Sequence, residues 1–434
     1  MTRDTLLALG LVLVTASQLR PGDLPIGPGE LCLVVWVMLM LSDMRRLQQS
    51  RLTPAFTRML IFWGLFTIAL CLGAMTAYAL DDFHDSTLFI HDALAYPLLA
   101  AVSLLSAVTP DAGCRIGRVA WALVVLSIGF FVLQIACGFD LISIPPFDPW
   151  YWDRLRGFSQ NPNQLAIFCA VMTFLSLHVA EQAEGPKHKL VAGACSLLAM
   201  VVGRLTRSDT FGLILVTGLI LYALLKLRAW WPSPGRRPTL RTAAAVITVA
   251  AVPLVVVASL LFVDQIRAEA EGIVQKMAKG TSAETSETAN IRLESWRLAL
   301  DRGLESRLLG FGPGPHLEIP PVLVAARRES LDPPYIEHPQ FNGTPNFEAH
   351  DTFLDLFTQG GLLAVLAYGW LLGTTCWQAY RSRQDALTVM MWSITVLSIF
   401  HLIVRHPLFW FAMVFGLVAA ADAYVPSPGM TRSK

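Results

Sequence analysis

Twelve mostly apolar runs, each near membrane-spanning length, constrain this chain more than any other feature. They fall near residues 5–20, 29–44, 57–80, 87–108, 116–137, 162–181, 189–204, 209–227, 241–263, 351–379, 386–404 and 407–424. A span needs about 20 such residues. Hydrocarbon offers backbone amides no partner, so each run must pair its own as a helix. Composition agrees: 15% of residues are charged, against about a quarter in soluble domains. The expected fold is an all-α polytopic membrane protein with about 12 transmembrane helices. One long polar stretch interrupts it, giving spans 1–9 in residues 1–263, a large loop at 264–350, and spans 10–12 in 351–434. The first run, with Val14-Thr15-Ala16 near its end, has some features of a signal peptide. We read it as an uncleaved span.

Position decides what the charges mean. Arg45, Arg46, Arg51 and Arg58 fall between runs two and three, and Arg115 and Arg118 precede run five. Lys187 and Lys189 precede run seven; Lys226, Arg228, Arg236, Arg237 and Arg241 precede run nine; Arg381 and Arg383 precede run eleven. With twelve spans and both termini inside, all lie on one side, and Lys and Arg in short loops mark the cytoplasm. The 264–350 loop, together with Asp81-Asp82-Phe83-His84-Asp85, then faces outward, which in a bacterium is the periplasm. Arg154 and Arg156, Arg204 and Arg207, and Arg405 with His406 break the rule by falling on the outer side. An anionic ligand there would favour them; contact with lipid headgroups is the plainer explanation.

Four places on that side suit chemistry. In Arg154-Leu155-Arg156 through Asn161-Pro162-Asn163-Gln164, Asn161 fits an N-cap, Pro162 the first helical position and Gln164 a capping box. Free amides at such a helix start, beside two arginines, also suit a phosphate. In Gly203-Arg204-Leu205-Thr206-Arg207-Ser208-Asp209, Ser208 or Asp209 would cap the next helix. Arg207 then offers either a phosphate-binding fork or an ion pair with Asp209. Asn290 is expected to cap a helix running to Leu309 and stopping at Gly310. That helix puts Arg292, Trp296 and Ala299 on one face and Glu294, Arg297 and Asp301 on another. The following Gly310-Phe311-Gly312-Pro313-Gly314-Pro315 reads as an irregular turn, not a dinucleotide loop, since its prolines forbid the helix that must follow. Last, His350 stands at the mouth of the tenth run, and a neutral imidazole there can accept a proton.

Other chemistries find less support. His316, Glu318, Glu337, His338, Glu348 and His350 supply metal-ligand types without an H-x-x-x-H or H-E-x-x-H spacing, so no metal or other cofactor is expected. No serine stands in a nucleophile turn. The seven cysteines are scattered without a C-x-x-C pair, and a formal charge of +1 gives no reason to expect nucleic acid.

The order of these motifs resembles the O-antigen ligase and Wzy-type polymerase superfamily of bacterial membrane glycosyltransferases. The resemblance rests on Asn161-Pro162-Asn163, the Arg207 turn, Arg292-x-x-x-Trp296 leading to Gly310-x-Gly312, and His350 followed by Gly360-Gly361. It covers residues 154–381. The chain departs from the family pattern with His350-Asp351 in place of His-Asn, and with Thr206-Arg207-Ser208 in place of Ser-Arg-Gly. The resemblance implies a glycosyltransferase C-type membrane fold in the bacterial inner membrane. The implied reaction is metal-independent, inverting transfer from an undecaprenyl-diphosphate-linked glycan to an acceptor sugar hydroxyl at the periplasmic face. The acceptor would be lipid A core or a growing polysaccharide. It also implies His350 as the catalytic base and Arg156, Arg207 and Arg292 on the diphosphate, with Arg204, Asn161, Asn163 and Trp296 completing the binding set. The alternative is a twelve-span transporter or flippase of lipid or polysaccharide, for which Asp355, one turn into run ten, is the best-placed residue.

Overall fold

The computed structural model describes residues 2–20, 26–43, 53–80, 86–108, 112–145, 147–151, 153–230, 283–318 and 347–422. Twelve helices occupy most of them: α1 (Arg3–Leu13), α2 (Pro28–Leu41), α3 (Pro54–Ala79), α4 (Ser86–Ala107), α5 (Ala112–Gly138), α6 (Pro162–Gln182), α7 (Pro186–Leu205), α8 (Asp209–Trp230), α9 (Ala283–Glu305), α10 (Thr352–Arg381), α11 (Asp385–Phe400) and α12 (Pro407–Asp422). Between α5 and α6, β1 (Trp150–Tyr151) pairs antiparallel with β2 (Arg154–Leu155). Eleven of the twelve apolar runs coincide with described helices. The ninth, 241–263, and most of the polar segment lie outside the described residues.

Six helices are long and apolar enough to cross a membrane: α3, α5, α6, α7, α8 over Asp209–Arg228, and α10. Large apolar side chains stand on the outside of the bundle, among them Met38, Met75, Leu94 and Leu190, as expected of surfaces that face lipid. The chain is a multi-pass membrane protein. Its first run makes only the 11-residue α1 before a 3-10 turn at Ser17–Leu19, about 16 Å of helix at the usual rise. That is half a bilayer, not the full span expected. Thr15 and Gln18 beyond it are committed to the loop before α6: the Thr15 carbonyl accepts from Ser159 Oγ, and Gln18 Nε2 donates to the carbonyls of Asp148, Gly157 and Ser159.

Helix starts follow sequence closely. Five described helices open on proline, at Pro28, Pro54, Pro162, Pro186 and Pro407, where the missing N–H leaves nothing unpaired. Asn161 caps α6 as expected, its Oδ1 accepting from Asn163 N–H at 2.8 Å. The expected capping box does not form; Gln164 Oε1 instead accepts from Ser17 Oγ at 3.0 Å. α6 and α12 form the buried centre, packed with Phe168, Phe174, Phe409, Trp410 and Phe411. Among membrane helices such packing, not exclusion of water, supplies most of the cohesion.

α10 is not the single continuous span expected from 351–379. At Gly361 the backbone turns to φ 62, ψ −159, and the break leaves carbonyls without helical partners. The Gly310 turn supplies them: Phe311 N–H donates to Thr358 O and Gly312 N–H to Gln359 O, each at 2.8 Å, while Leu362 N–H donates to Leu308 O at 2.9 Å. A Cβ at Gly361 would meet Leu308 O at 2.0 Å, so glycine is required. The irregular turn read from the sequence is thus a clamp on a broken membrane helix, the condition under which such breaks are tolerated.

Candidate active site

Asp351 caps α10, its Oδ1 accepting from Phe353 N–H at 2.8 Å and Leu354 N–H at 3.0 Å. One turn on, buried Asp355 folds its carboxylate back over the entry loop. Its Oδ1 accepts from Ala349 N–H at 2.8 Å and its Oδ2 from Asp351 N–H at 3.2 Å. Between those two clamped amides stands His350 at φ 53, a left-handed conformation that costs a residue with a Cβ roughly 1–2 kcal/mol. The clamp holds it there. Asp355, the best residue for a transporter, is therefore fully engaged in fixing the loop that presents His350.

His350 is exposed, yet protein surrounds it closely enough to hold its imidazole below the ordinary histidine range. Burial is the main cause; the Glu348 carboxylate opposes it, and the Arg292 and Arg405 guanidinium groups add to it. The ring meets Phe347 edge-on at 5.5 Å. These surroundings favour the uncharged imidazole. Burial pushes the Asp351 carboxyl up to about 6 despite its two amide donors.

α9 brings Arg292 to this loop. The helix begins at Ala283 and ends at Glu305, so Asn290 is internal and not a cap; the Ala283-Glu284-Thr285-Ser286-Glu287 stretch ahead of it suits a helix well enough to extend it. A stripe of small buried residues, Ser295, Ala299, Gly303 and Ser306, lines one side of α9 and its C-terminal turn. Gly303 lies so close to Phe357 of α10 that a Cβ would meet the ring at 2.2 Å. Trp296, half-buried, packs on Ala299, Leu317 and Ala349, and its indole Nε1 has no hydrogen-bond partner among the described residues. An antiparallel bridge between Leu317 and Phe347 closes this cluster. Arg292, one turn before Trp296, consequently lies within electrostatic reach of both His350 and His401.

The other outer-side cations reach the same end of the bundle. Arg154 donates from Nε to Thr206 O at 3.0 Å and from Nη2 to Asn163 Oδ1 at 2.9 Å, tying β2, the start of α6 and the α7–α8 turn together. Arg207 is left-handed at φ 49 and exposed, and its ion-pair partner is Asp153, where one of the two sequence readings has Asp209. Arg156 pairs with Asp148 at 2.9 Å and lies over the Tyr151 ring. Arg204 is exposed in the last turn of α7. The structure therefore brings Arg292, Trp296 and His350 together. Arg156 and Arg207 stand in separate ion pairs, and Asn161 and Asn163 act on helix α6 and on Arg154.

Three residues here are missing from the binding and catalytic set read from the sequence. Arg405 bridges Glu348 and buried Asp92. Burial opposes its charge, but those two carboxylates hold it above the ordinary arginine value. Its place in a loop expected on the outer side, where the charge rule disfavours arginine, was the available signal. Buried His401 has an unpartnered Nε2, and its carbonyl accepts from Thr352 Oγ at 2.6 Å. Burial, with Arg292, His350, His406 and Arg154 adding to it, lowers its imidazole to about 3. Nothing in its sequence context marks it. The third is Asp355, whose clamp no spacing rule foretells.

Part of this cationic end, with the exposed His350, falls in a stretch that matches a known family. Residues 192–369 match the O-antigen ligase family model. The match bears out the resemblance to the O-antigen ligase and Wzy-type superfamily. It begins inside α7 and ends inside α10, so it includes Arg204, Arg207, Arg292, Trp296 and His350, while Arg154, Arg156, Asn161 and Asn163 lie upstream of it. No curated protein gives a significant match. A match to the O-antigen ligase family over part of a membrane-spanning chain supports a glycosyltransferase-like enzyme acting on a lipid-linked glycan or polysaccharide.

Proposed function

We propose that the protein is an inverting, metal-independent glycosyltransferase of the bacterial inner membrane. It transfers or polymerises an oligosaccharide from undecaprenyl diphosphate onto an acceptor sugar hydroxyl at the periplasmic face. The observation that supports this reading is the exposed His350, its loop fixed by Asp355 and within electrostatic reach of Arg292. In the reaction His350 takes the proton of the acceptor hydroxyl as its oxygen attacks the anomeric carbon. The bond to the diphosphate oxygen breaks on the opposite face, and the leaving diphosphate carries away the electron pair.

Cations replace the charge compensation a metal gives elsewhere. Arg292 is placed to neutralise the diphosphate next to the base. Arg156, Arg204 and Arg207 extend the positive surface toward the start of α6, and the phosphate would compete with Asp148 and Asp153 for two of them. Trp296, half-buried, offers part of a flat ring face to a sugar. Asn161 and Asn163 keep the α6 start and Arg154 in place. The polyprenyl tail stays among the helices in lipid.

The test is glycan transfer by purified, EDTA-treated protein. His350→Ala is expected to lower the rate by 100-fold or more, the usual worth of a positioned base, and Arg292→Ala to abolish transfer with insertion unchanged. Full activity of either variant removes the assigned role.

A further inference from the structure

At the opposite end of the bundle from His350 lies a cavity of about 1080 Å³. Helices α6 and α10 connect the two ends: each starts beside the candidate active site and finishes at this cavity, about 31 Å away along the 21 residues of α6. Its volume suits a ligand of drug or lipid size. We propose that it is a second binding site, for an amphiphile with an anionic phosphate headgroup.

The wall divides into two chemistries. Ile116, Ala120, Val179, Phe415 and Val418 give an apolar face built from α5, α6 and α12, and Ser382, Arg383, Gln384 and His188 give a polar mouth. His178 lines the cavity while only 3% exposed, its ring edge-on to Phe415 at 5.3 Å, and its Nδ1 has no hydrogen-bond partner among the described residues. A polar atom so deeply buried is costly unless something pairs with it. A ligand that enters along the apolar face brings a carbonyl or phosphoryl oxygen to it.

The mouth favours a negative charge. Arg383 is exposed and left-handed at φ 56, an arginine at a helix C-terminal position where glycine is the usual choice. His188 lies against Trp121, ring centroids 5.2 Å apart and tilted by 57°. α7 starts at this rim behind Gly185, with no side-chain cap on its first amides, and its positive end adds to the same field. Lys187, Lys189 and Arg381 are chain neighbours of the lining residues His188 and Ser382, and Glu184 is the acidic residue on the lining. Cations and uncapped amides over an apolar slot fit a phosphate headgroup with chains below it.

Gly117 provides a plug. It lines the cavity, and a Cβ there meets nothing within 4 Å, so Gly117→Leu fills the slot without strain and improves helix propensity. Delipidated full-length protein is titrated with phosphatidylglycerol, phosphatidylcholine or inorganic phosphate, and binding is read by native mass spectrometry. Phosphatidylglycerol is expected to bind about tenfold tighter than phosphatidylcholine, and Gly117→Leu and Arg383→Gln each to weaken it about tenfold, a difference of about 1.4 kcal/mol. Helical content and glycan transfer should match wild type in both variants. Wild-type binding by either variant overturns the proposal, as does saturation by inorganic phosphate with no gain from acyl chains. Binding is measured without any transfer step, so failure of the transferase reading leaves this result standing.

Discussion

His350 and Arg207 share a backbone conformation, φ 53 and φ 49, but are held by opposite means. A buried carboxylate fixes His350 through two amides on either side of it. Arg207 stands in water, paired with an equally exposed Asp153, and such pairs contribute about 0–1 kcal/mol. The first arrangement cannot relax without losing hydrogen bonds in a dry site; the second can open for any stronger anion. A base must be placed before the acceptor arrives, whereas a phosphate ligand can be gathered by side chains that move. The two sites differ in the way those tasks differ.

Substitutions can break this contrast. The largest effect is expected from Asp355→Ala, which leaves two buried amides unpaired at about 1–3 kcal/mol each and frees His350 from its strained position. Transfer should fall as far as in His350→Ala, with a lower melting temperature, although Asp355 touches no substrate. Retained activity in this variant would show that His350 needs no clamp.

The pH profile comes next. His350 is held below its ordinary value chiefly by burial, so activity should be flat above pH ~6.5, the usual histidine midpoint, and fall as acid protonates the ring. Glu348→Gln removes the carboxylate that raises that value, and the acid limb should move to lower pH. Asp351 titrates near 6 and could produce a limb of its own. Asp351→Asn separates the two, since asparagine caps equally well: the limb should persist if His350 is the base.

Arg207→Lys should give a partial loss, raising the donor KM several-fold, because a point charge replaces a two-pronged fork. The smallest change is expected of Asp153→Ala. It removes the competitor for Arg207, so the donor KM should fall slightly and the melting temperature stay unchanged. A large destabilisation there would mean that the exposed pair is structural after all.

The helices and the histidine were legible because each depends on local pattern. Apolar length gave eleven helices, and proline and asparagine gave their starts. What misled was equally local: Asn290 has a cap's chemistry but lies within α9, and the 351–379 run hides a break that only Gly360-Gly361 hinted at. His401 carried no signal, since what surrounds it comes from several separate segments, among them Arg292 and Arg154.

By itself, then, the sequence decided that this chain is a membrane bundle and singled out the cations that break the charge pattern, because hydrophobic length and charge position act without reference to the fold. Tertiary structure alone decided which of those cations meet. Arg292 reaches His350 because small residues on α9 let it pack on α10, while Arg156 and Arg207 are claimed by nearby aspartates. Competition between distant partners is a property of three-dimensional distance, which spacing along a chain does not encode.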